Sequence, residues 1–191
     1  MAAANTGRNP VDELQTMEPE NRQDILVRGI AEITNTMLEN YDLNNIITMV
    51  METIYRGMGF SRVLFCIRDA KNNQILGRFG LGKNIDEISP NFRFKIDDTD
   101  NVLIESVKKK QEFIILDVDS DEYKQRIPDW LRKLTMPRAI VIYPIILNNR
   151  CIGLFYADTD NSSTQISMDT LKFFKTLRNQ ATLAIQQKQM R

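Results

Sequence analysis

Histidine is absent from this chain of 191 residues. Without an imidazole, the protein cannot form a Ser-His-Asp or Cys-His catalytic set, an H-E-x-x-H zinc site or a histidine-ligated haem. Metal-dependent phosphohydrolases built on His-Asp pairs are excluded for the same reason. We therefore expect a protein that is not an enzyme and that carries no metal and no cofactor.

An excess of one charge is also missing, since Lys plus Arg and Asp plus Glu both number 25. No overall positive field attracts the chain to nucleic acid or to an anionic membrane. The longest apolar run, Ala139 to Leu147, is too short to span a bilayer, and residues 1–10 lack the apolar core of a secretory signal. We expect a cytoplasmic protein without a nucleic-acid or membrane partner.

Cysteine is scarce, with Cys66 and Cys151 the only two. Both lie in strongly apolar predicted strands, a setting typical of buried, reduced thiols and not of a disulfide framework. A thiol reductase would need an exposed thiolate of low pKa near a resolving cysteine. Because paired strands would make the two cysteines neighbours, a reductase stays open as an alternative.

The composition that is present, 42% hydrophobic and 26% charged, is that of one globular domain. Residues 1–21 are polar and show no sustained period, which predicts a linker or a disordered tail. The domain is predicted over residues 22–191. It opens with two helices, over 22–40 and 43–58, whose apolar side chains recur at helical spacing.

A hairpin over Arg138 to Asp160 is the predicted centre of a buried sheet. Two β-branched and aromatic runs flank Asn148-Asn149-Arg150, the pattern of two strands joined by a short turn. The other predicted elements are, in chain order, strands over 61–69 and 74–79, an edge strand over 92–96, a helix over about 102–110, a strand over 113–116, and helices over 127–134 and from 167 onward.

Two stretches resemble ligand-binding motifs but fail on their spacing. Asp117 to Asp121 has the D-x-D-x-D start of a calcium loop, yet Glu122 and Pro128 stand where that loop needs glycine and glutamate. The glycines of Gly77 to Gly82 are not followed by a helix with a Lys-Ser or Lys-Thr pair, so they do not predict a phosphate loop. We interpret the acidic stretch as a capped turn into a helix.

The order of predicted elements resembles the GAF domain family, and three sequence phrases add to the likeness. They are M-G-F-S-R-V-L-F-C-I-R-D at Met58 to Asp69, G-R-F-G-L-G at Gly77 to Gly82 and G-L-F-Y-A-D at Gly153 to Asp158. In particular, they resemble the GAF-like region that follows an HDOD domain in some bacterial signalling proteins. The resemblance covers roughly residues 22–187.

This resemblance implies an α+β fold, with a central antiparallel sheet of about six strands. Long N- and C-terminal helices would pack on one face of the sheet, and a pocket would lie on the other. It also implies a regulatory or sensory module of a bacterial signal-transduction protein. Such a module is a homodimer through its terminal helices, and an HDOD domain would accompany it in a longer polypeptide.

Several ligands known for the GAF family do not suit this sequence. The Asn-Lys-Phe-Asp-Glu pattern of cyclic-nucleotide-binding GAF domains is missing, which argues against cGMP and cAMP. A bilin-binding GAF domain places a histidine beside its attachment cysteine, and histidine is also the usual ligand of haem iron. Since the chain has no histidine, we expect neither.

We place the ligand pocket between the sheet and the Asp117 to Pro137 segment. The predicted ligand-binding residues are Phe79, Phe94, Asp117, Trp130, Arg138 and Tyr156. Aromatic rings would stack on a small molecule, Arg138 would bind an anionic group and Asp117 would accept a hydrogen bond. A ligand that prefers one packing of the terminal helices would then act as a switch.

Two alternatives to this regulatory function stay open. One is a thiol-based reductase of the free methionine sulfoxide type, because some GAF domains carry out that reaction. The other is a purely structural dimerisation module, in which side chains fill the pocket and the apolar seam of the first helix binds a second copy.

Overall fold

The computed structural model describes residues 19–97, 99–160 and 166–189. The tail predicted over residues 1–21 lies almost wholly outside these ranges, and the first described helix begins at Pro19. The helices are α1 (Pro19–Met37), α2 (Leu43–Met58), α3 (Ile85–Asn91), α4 (Val102–Lys109), α5 (Asp129–Thr135) and α6 (Met168–Gln189). The strands are β1 (Arg62–Asp69), β2 (Gln74–Gly82), β3 (Arg93–Lys95), β4 (Phe113–Ile115), β5 (Ala139–Leu147) and β6 (Arg150–Thr159).

The six strands form one antiparallel sheet in the order β3-β2-β1-β6-β5-β4. The predicted hairpin supplies β5 and β6, and its turn residues Asn148 and Asn149 have φ angles of 48° and 61°. Asparagine tolerates this left-handed region, which the tight turns of two-residue hairpins require. The predicted α+β fold, with its sheet of six antiparallel strands, is confirmed.

One face of the sheet carries the long helices α1, α2 and α6. Alternate residues of the central strands, such as Val63, Val141 and Phe155, point to this face and pack with the helices in one apolar core. Helix α2 begins at the predicted cap, where the Asp42 carboxylate accepts a hydrogen bond from the Asn45 backbone N–H at 3.3 Å. It ends at Gly59, whose φ of 71° stops the helix without the strain that a Cβ would add.

The other face is covered by the short helices α3, α4 and α5 and by the connections between them. A second apolar core lies there. It is formed by the opposite set of strand residues, including Leu64, Ile142 and Leu154, and by buried residues of these helices and connections. The sheet therefore separates two cores. This second face is the one on which the ligand pocket is predicted from the sequence.

Two local features of the helices on this second face differ from the sequence prediction. Helix α3 is not predicted, because it is only seven residues long and contains Pro90. Helix α4 is capped by Asn101, whose side-chain oxygen accepts hydrogen bonds from the backbone N–H groups of Leu103 and Ile104 at 3.1 Å each. The sequence does not predict this cap, which satisfies two of the backbone N–H groups at the start of the helix.

Candidate functional site

Four aromatic rings contact one another inside the second core. Phe92 lies 4.8 Å from Tyr156 and 5.5 Å from Trp130, measured between ring centroids. Phe94 stacks on Trp130 at 6.0 Å. Phe92 and Tyr156 are fully buried, while Trp130 keeps one part in contact with solvent. The rings therefore fill the interior between the sheet and α5, with Trp130 at its outer edge.

Three of the six predicted ligand-binding residues, Phe94, Trp130 and Tyr156, belong to this aromatic cluster. Asp117 and Arg138 do not, since both are exposed at the surface. The Asp117 carboxylate accepts a hydrogen bond from the Asp119 backbone N–H at 3.0 Å, which stabilises its own turn. The structure brings Asp117 and Arg138 near each other through the backbone, because the Val118 N–H donates to the Arg138 carbonyl at 3.0 Å.

Phe79, the sixth predicted residue, lies on the opposite face of the sheet. Phe65 pairs with Phe79 and Cys66 pairs with Gly77, so Arg78 is an extra residue in β2. Such a β-bulge reverses the alternation of side chains beyond it. Phe79 therefore packs against Phe65 in the first core, with ring centroids 6.3 Å apart, instead of facing the predicted pocket.

A cavity of about 290 Å³ lies beside Phe79, between the sheet, α2 and the end of α6. A second register shift places Ile152 as an extra residue in β6, and this residue also lines the cavity. The lining is mostly apolar, with the exposed guanidinium of Arg78 lying 5.4 Å from the Phe79 ring centroid. The two bulged residues, Arg78 and Ile152, thus both line an apolar recess beneath α2 and the end of α6.

A buried polar cluster stands at the end of the sheet where β1 begins. The Arg62 guanidinium donates to the Asp158 carboxylate at 2.8 Å and to the Thr135 carbonyl at 2.6 Å. Asp158 also accepts a hydrogen bond from the Tyr156 hydroxyl at 2.8 Å, and that hydroxyl lies 3.2 Å from the Thr135 hydroxyl. All four residues are almost completely inaccessible to solvent. We call this set the Arg62 cluster.

Burial determines the ionisation properties of the Arg62 cluster. Removal from water raises the pKa of the Asp158 carboxyl to about 6, and the neighbouring Arg62 charge opposes that rise. Burial and the Asp158 carboxylate both raise the pKa of the Tyr156 hydroxyl, which stays protonated and serves as a donor. Since each polar group has a partner inside the cluster, the arrangement is that of a paired structural network.

The two thiols are buried and unbridged. Cys66 lies in β1 and Cys151 at the start of β6, and both face the second core. Burial raises the pKa of both thiols. The Cys151 thiol donates to the Gly153 carbonyl at 3.1 Å. Neither cysteine has the exposure or the low pKa that a reactive thiolate needs.

Comparison with family models finds one that describes the GAF domain and matches residues 42–185, well over half of the chain. The chain belongs to the GAF domain family. A comparison with curated protein sequences gives no significant match. Membership of the GAF family accords with the predicted antiparallel sheet and with the long terminal helices on one of its faces.

Solved structures show the same fold at low sequence identity. The GAF domain of an Acinetobacter phosphoenolpyruvate-protein phosphotransferase aligns with a TM-score of 0.68 at 14% identity, covering 91% of this chain and 97% of that one. Residues 122 to 287 of a methyl-accepting chemotaxis protein align at 0.64 and 20% identity, covering 83% and 95%. Free methionine-R-sulfoxide reductase from Neisseria meningitidis aligns at 0.62 and 16% identity, covering 97% and 99%.

Among the described residues, no three Cys, Asp or Glu side chains converge in a way that could hold a metal ion. In the same part of the chain, no helix combines the length and the apolar character needed to cross a bilayer.

Sequence reasoning missed the Arg62 cluster. Its members are spread over β1, α5 and β6, so no local motif marks it. One signal was available: Arg62 and Asp158 are charged residues inside strongly apolar predicted strands, and buried charges are normally paired. Both lie within the phrases that carry the GAF resemblance.

Proposed function

We propose that this GAF domain is a non-enzymatic sensory or regulatory module, which acts as a homodimer and relays a signal through its terminal helices α1 and α6. GAF domains are sensory and signalling domains. The dimer and the relay through its helices are what we propose for this chain in addition to that general role. The proposed setting is the cytoplasm of a bacterium, where buried thiols stay reduced. An HDOD domain in the same polypeptide is part of the proposal, on the strength of the sequence resemblance.

The observation that carries the proposal is the connection between the first and last described helices. The Gln180 side-chain amide of α6 donates to the Ile30 carbonyl of α1 at 3.2 Å and to the Thr34 hydroxyl at 2.6 Å. Just beyond α1, the buried Tyr41 hydroxyl donates to the Ala184 carbonyl at 3.0 Å. These hydrogen bonds join α6 to α1 and to the residues just after it, which supports a relay between the two helices.

The outer surfaces of these helices leave apolar side chains in water. Val27 and Leu183 are 54% and 47% exposed, and Leu38, just after α1, is 82% exposed. Burying such side chains against a second copy would add hydrophobic stabilisation to a dimer. Helices that carry both the intramolecular contact and the dimer contact are suited to relay a change in packing.

The dimer is tested by sedimentation equilibrium of the full chain. We expect a dimer at micromolar concentration for the wild type and a shift to monomer for Leu183→Glu, because a carboxylate would be buried in the interface. Met136→Glu is the matched control, since Met136 is also an exposed apolar residue (76%) but lies after α5. A wild-type monomer, or equal dissociation in both variants, would contradict the proposed dimer.

The reductase alternative predicts different behaviour of the thiols. Because Cys66 and Cys151 are buried, we expect slow modification of both by a thiol reagent in the folded protein and rapid modification after unfolding in urea. We also expect no reduction of free methionine sulfoxide by the dithiol-treated protein. Rapid labelling of either cysteine in the native state, together with turnover, would replace the regulatory proposal by the enzymatic one.

A further inference from the structure

A cleft of about 480 Å³ opens at the end of the sheet opposite the Arg62 cluster. Its walls are the turn between β1 and β2, the turn between β5 and β6, and the end of α4 with the chain that precedes this helix. The volume lies within the range of small-molecule sites, roughly 300–1,000 Å³. We call this space the basic cleft.

Four cationic side chains line the basic cleft: Arg68, Lys108, Lys110 and Arg150. Its described lining contains no Asp and no Glu. The chain as a whole has a net charge of zero, so this is a local concentration of positive charge and not part of a general basic surface. Converging charges of one sign in a concave site strengthen the field inside it.

The hydrogen bonds of Arg68 and Lys110 go to neutral acceptors. Arg68 donates to the Cys151 carbonyl at 3.4 Å and to the Asn73 side-chain oxygen at 3.3 Å. The Lys110 ammonium donates to the Asn149 carbonyl at 3.1 Å and to the side-chain oxygen of the same residue. In the described ranges, Arg68, Lys110 and Arg150 form no ion pair with a carboxylate.

Carboxylates near the cleft are occupied by other contacts. Asp69 follows Arg68 in β1, yet it accepts hydrogen bonds from the Asn72 and Gln74 side chains at 2.7 and 3.1 Å. Hydrogen bonds from Thr99 and, less strongly, the charge of Lys108 lower the pKa of Asp97. Lys108 thus has an acidic neighbour, and the charges of Arg68, Lys110 and Arg150 remain for another partner.

Helix capping accounts for only part of this cluster of cations. Lys108 and Lys110 stand at the end of α4, where positive charge is favoured by the helix dipole. Arg68 and Arg150 belong to two different strands and reach the same space from the far side. Bringing four like charges together costs free energy, and no helix dipole offsets that cost for the two arginines.

We propose that the basic cleft binds a small soluble molecule with two or more negative charges, of the phosphate or polycarboxylate class, as the signal of this regulatory domain. Guanidinium groups bind phosphate and carboxylate oxygens through paired hydrogen bonds, and the two lysines add charge. The buried side chains of Ile96, Val107 and Cys151 form an apolar floor for the rest of the ligand. The proposal rests on the regulatory function proposed above.

A soluble ligand fits this surface better than a polymer or a membrane. The cations surround a recess between two turns and a helix end, instead of forming a flat or convex stripe. Phosphate backbones and lipid headgroups are normally met by extended basic surfaces, whereas the four cations here line a single recess. The same charges with an apolar floor suit a compact anion.

The proposal is tested by isothermal titration calorimetry of the full chain with inorganic pyrophosphate and, separately, with citrate. We expect saturable binding of at least one probe, which distinguishes the phosphate class from the carboxylate class. Arg68→Gln/Arg150→Gln is expected to weaken that binding by about tenfold or more, through loss of two charge-assisted contacts. Arg28→Gln/Lys133→Gln removes the same charge from exposed positions on α1 and α5 and should bind as the wild type does.

Several results would overturn the proposal. They are no binding of either probe by the folded wild type, equal weakening in both double variants, or tighter association with vesicles of phosphatidylserine than with either soluble probe. A failure here leaves the sedimentation result unchanged, because dimer formation depends on α1 and α6 and not on the cleft. Loss of the dimer with retained anion binding would instead contradict the function on which this inference rests.

Discussion

The arginines at the two ends of the sheet differ in burial and in whether they pair with a carboxylate. At one end, Arg62 is buried and its guanidinium contacts Asp158 and the Thr135 carbonyl. At the other end, Arg68 and Arg150 are exposed beside a cleft and have no carboxylate partner in the described ranges. A buried charge needs its partner within the fold, whereas an exposed charge is stable without one.

This difference separates charges that stabilise the fold from charges that are accessible to a ligand. The Arg62 cluster satisfies its own polar groups, so it fixes the packing of α5 against β1 and β6 and has no capacity left for a ligand. The basic cleft keeps its charges accessible. Substitutions at the first end should therefore affect the free energy of unfolding, and substitutions at the second should affect binding.

The largest expected effect is that of Arg62→Met. Removing the guanidinium leaves the Asp158 carboxylate buried without a counter-charge, which should lower the free energy of unfolding by about 3–5 kcal/mol. Urea denaturation followed by circular dichroism measures this change. Arg68→Met, at an exposed position of the same strand, should change stability by less than about 1 kcal/mol; equal losses in the two variants would remove the distinction between the ends.

Asp158→Asn should cause the next largest loss in the free energy of unfolding, and the size of this loss should depend on pH. Burial raises the pKa of Asp158 from 3.8 to about 6, so the folded protein binds this proton more tightly than the unfolded chain. The stabilisation from that proton is complete below about pH 4 and is lost as the pH rises to about 6. Asparagine has no such proton, and every other carboxyl is common to both proteins.

The advantage of wild type over Asp158→Asn should therefore shrink between about pH 4 and about pH 6. Urea unfolding at several values across this window gives the two free energies. An advantage that grows with pH would show that pairing with Arg62, and not desolvation, dominates the ionisation of Asp158.

Tyr156→Phe, in the same Arg62 cluster, should cause a smaller loss of stability. It removes a hydroxyl that lies 2.8 Å from Asp158 and 3.2 Å from the Thr135 hydroxyl, and the expected loss is about 1–2 kcal/mol. Tyr143→Phe is a matched control, because its hydroxyl makes only a 3.5 Å contact with the Leu171 carbonyl. Thermal unfolding compares them, and a greater loss at Tyr143 would contradict the importance of the Arg62 cluster.

The smallest expected effect is a gain. Arg68→Gln relieves repulsion among the cations of the basic cleft, so stability at low ionic strength should rise by a few tenths, about 0.3 kcal/mol. The gain should disappear at about 1 M salt, where the screening length is roughly 3 Å. A loss of stability at low salt would mean that Arg68 has a structural role similar to that of Arg62.

The sequence predicts much of the fold because the strands and long helices have strong local signals. The alternation of Phe92 to Ile96 marks the predicted edge strand, whose Phe92, Phe94 and Ile96 are buried, and Asn148-Asn149 correctly marks a hairpin turn. Helix α3 is missed because seven residues that include Pro90 give no helical period. Its position depends on packing against β2, which the sequence does not display.

The candidate site is less predictable, because its geometry depends on register. Alternation along β2 assigns Phe79 to the same face as Ile75, but the bulge at Arg78 moves it to the other. The basic cleft is built from turns that are distant in sequence, so Arg68 and Arg150 appear only as ordinary charges at strand ends. Lys108 to Lys110 could be explained by the helix end alone.

One measurement tests the contrast between the two ends most directly: a titration of ¹⁵N-labelled protein with inorganic pyrophosphate, followed by amide chemical shifts. We predict saturable shifts at Asn73, Val107 and Asn149 around the basic cleft and unchanged signals at Thr135 and Ala157 near Arg62. Shifts centred on Thr135 and Ala157 would contradict this account. Unchanged signals at all five residues, both with pyrophosphate and in a parallel titration with citrate, would do so equally, because the exposed arginines would then bind neither class of anion.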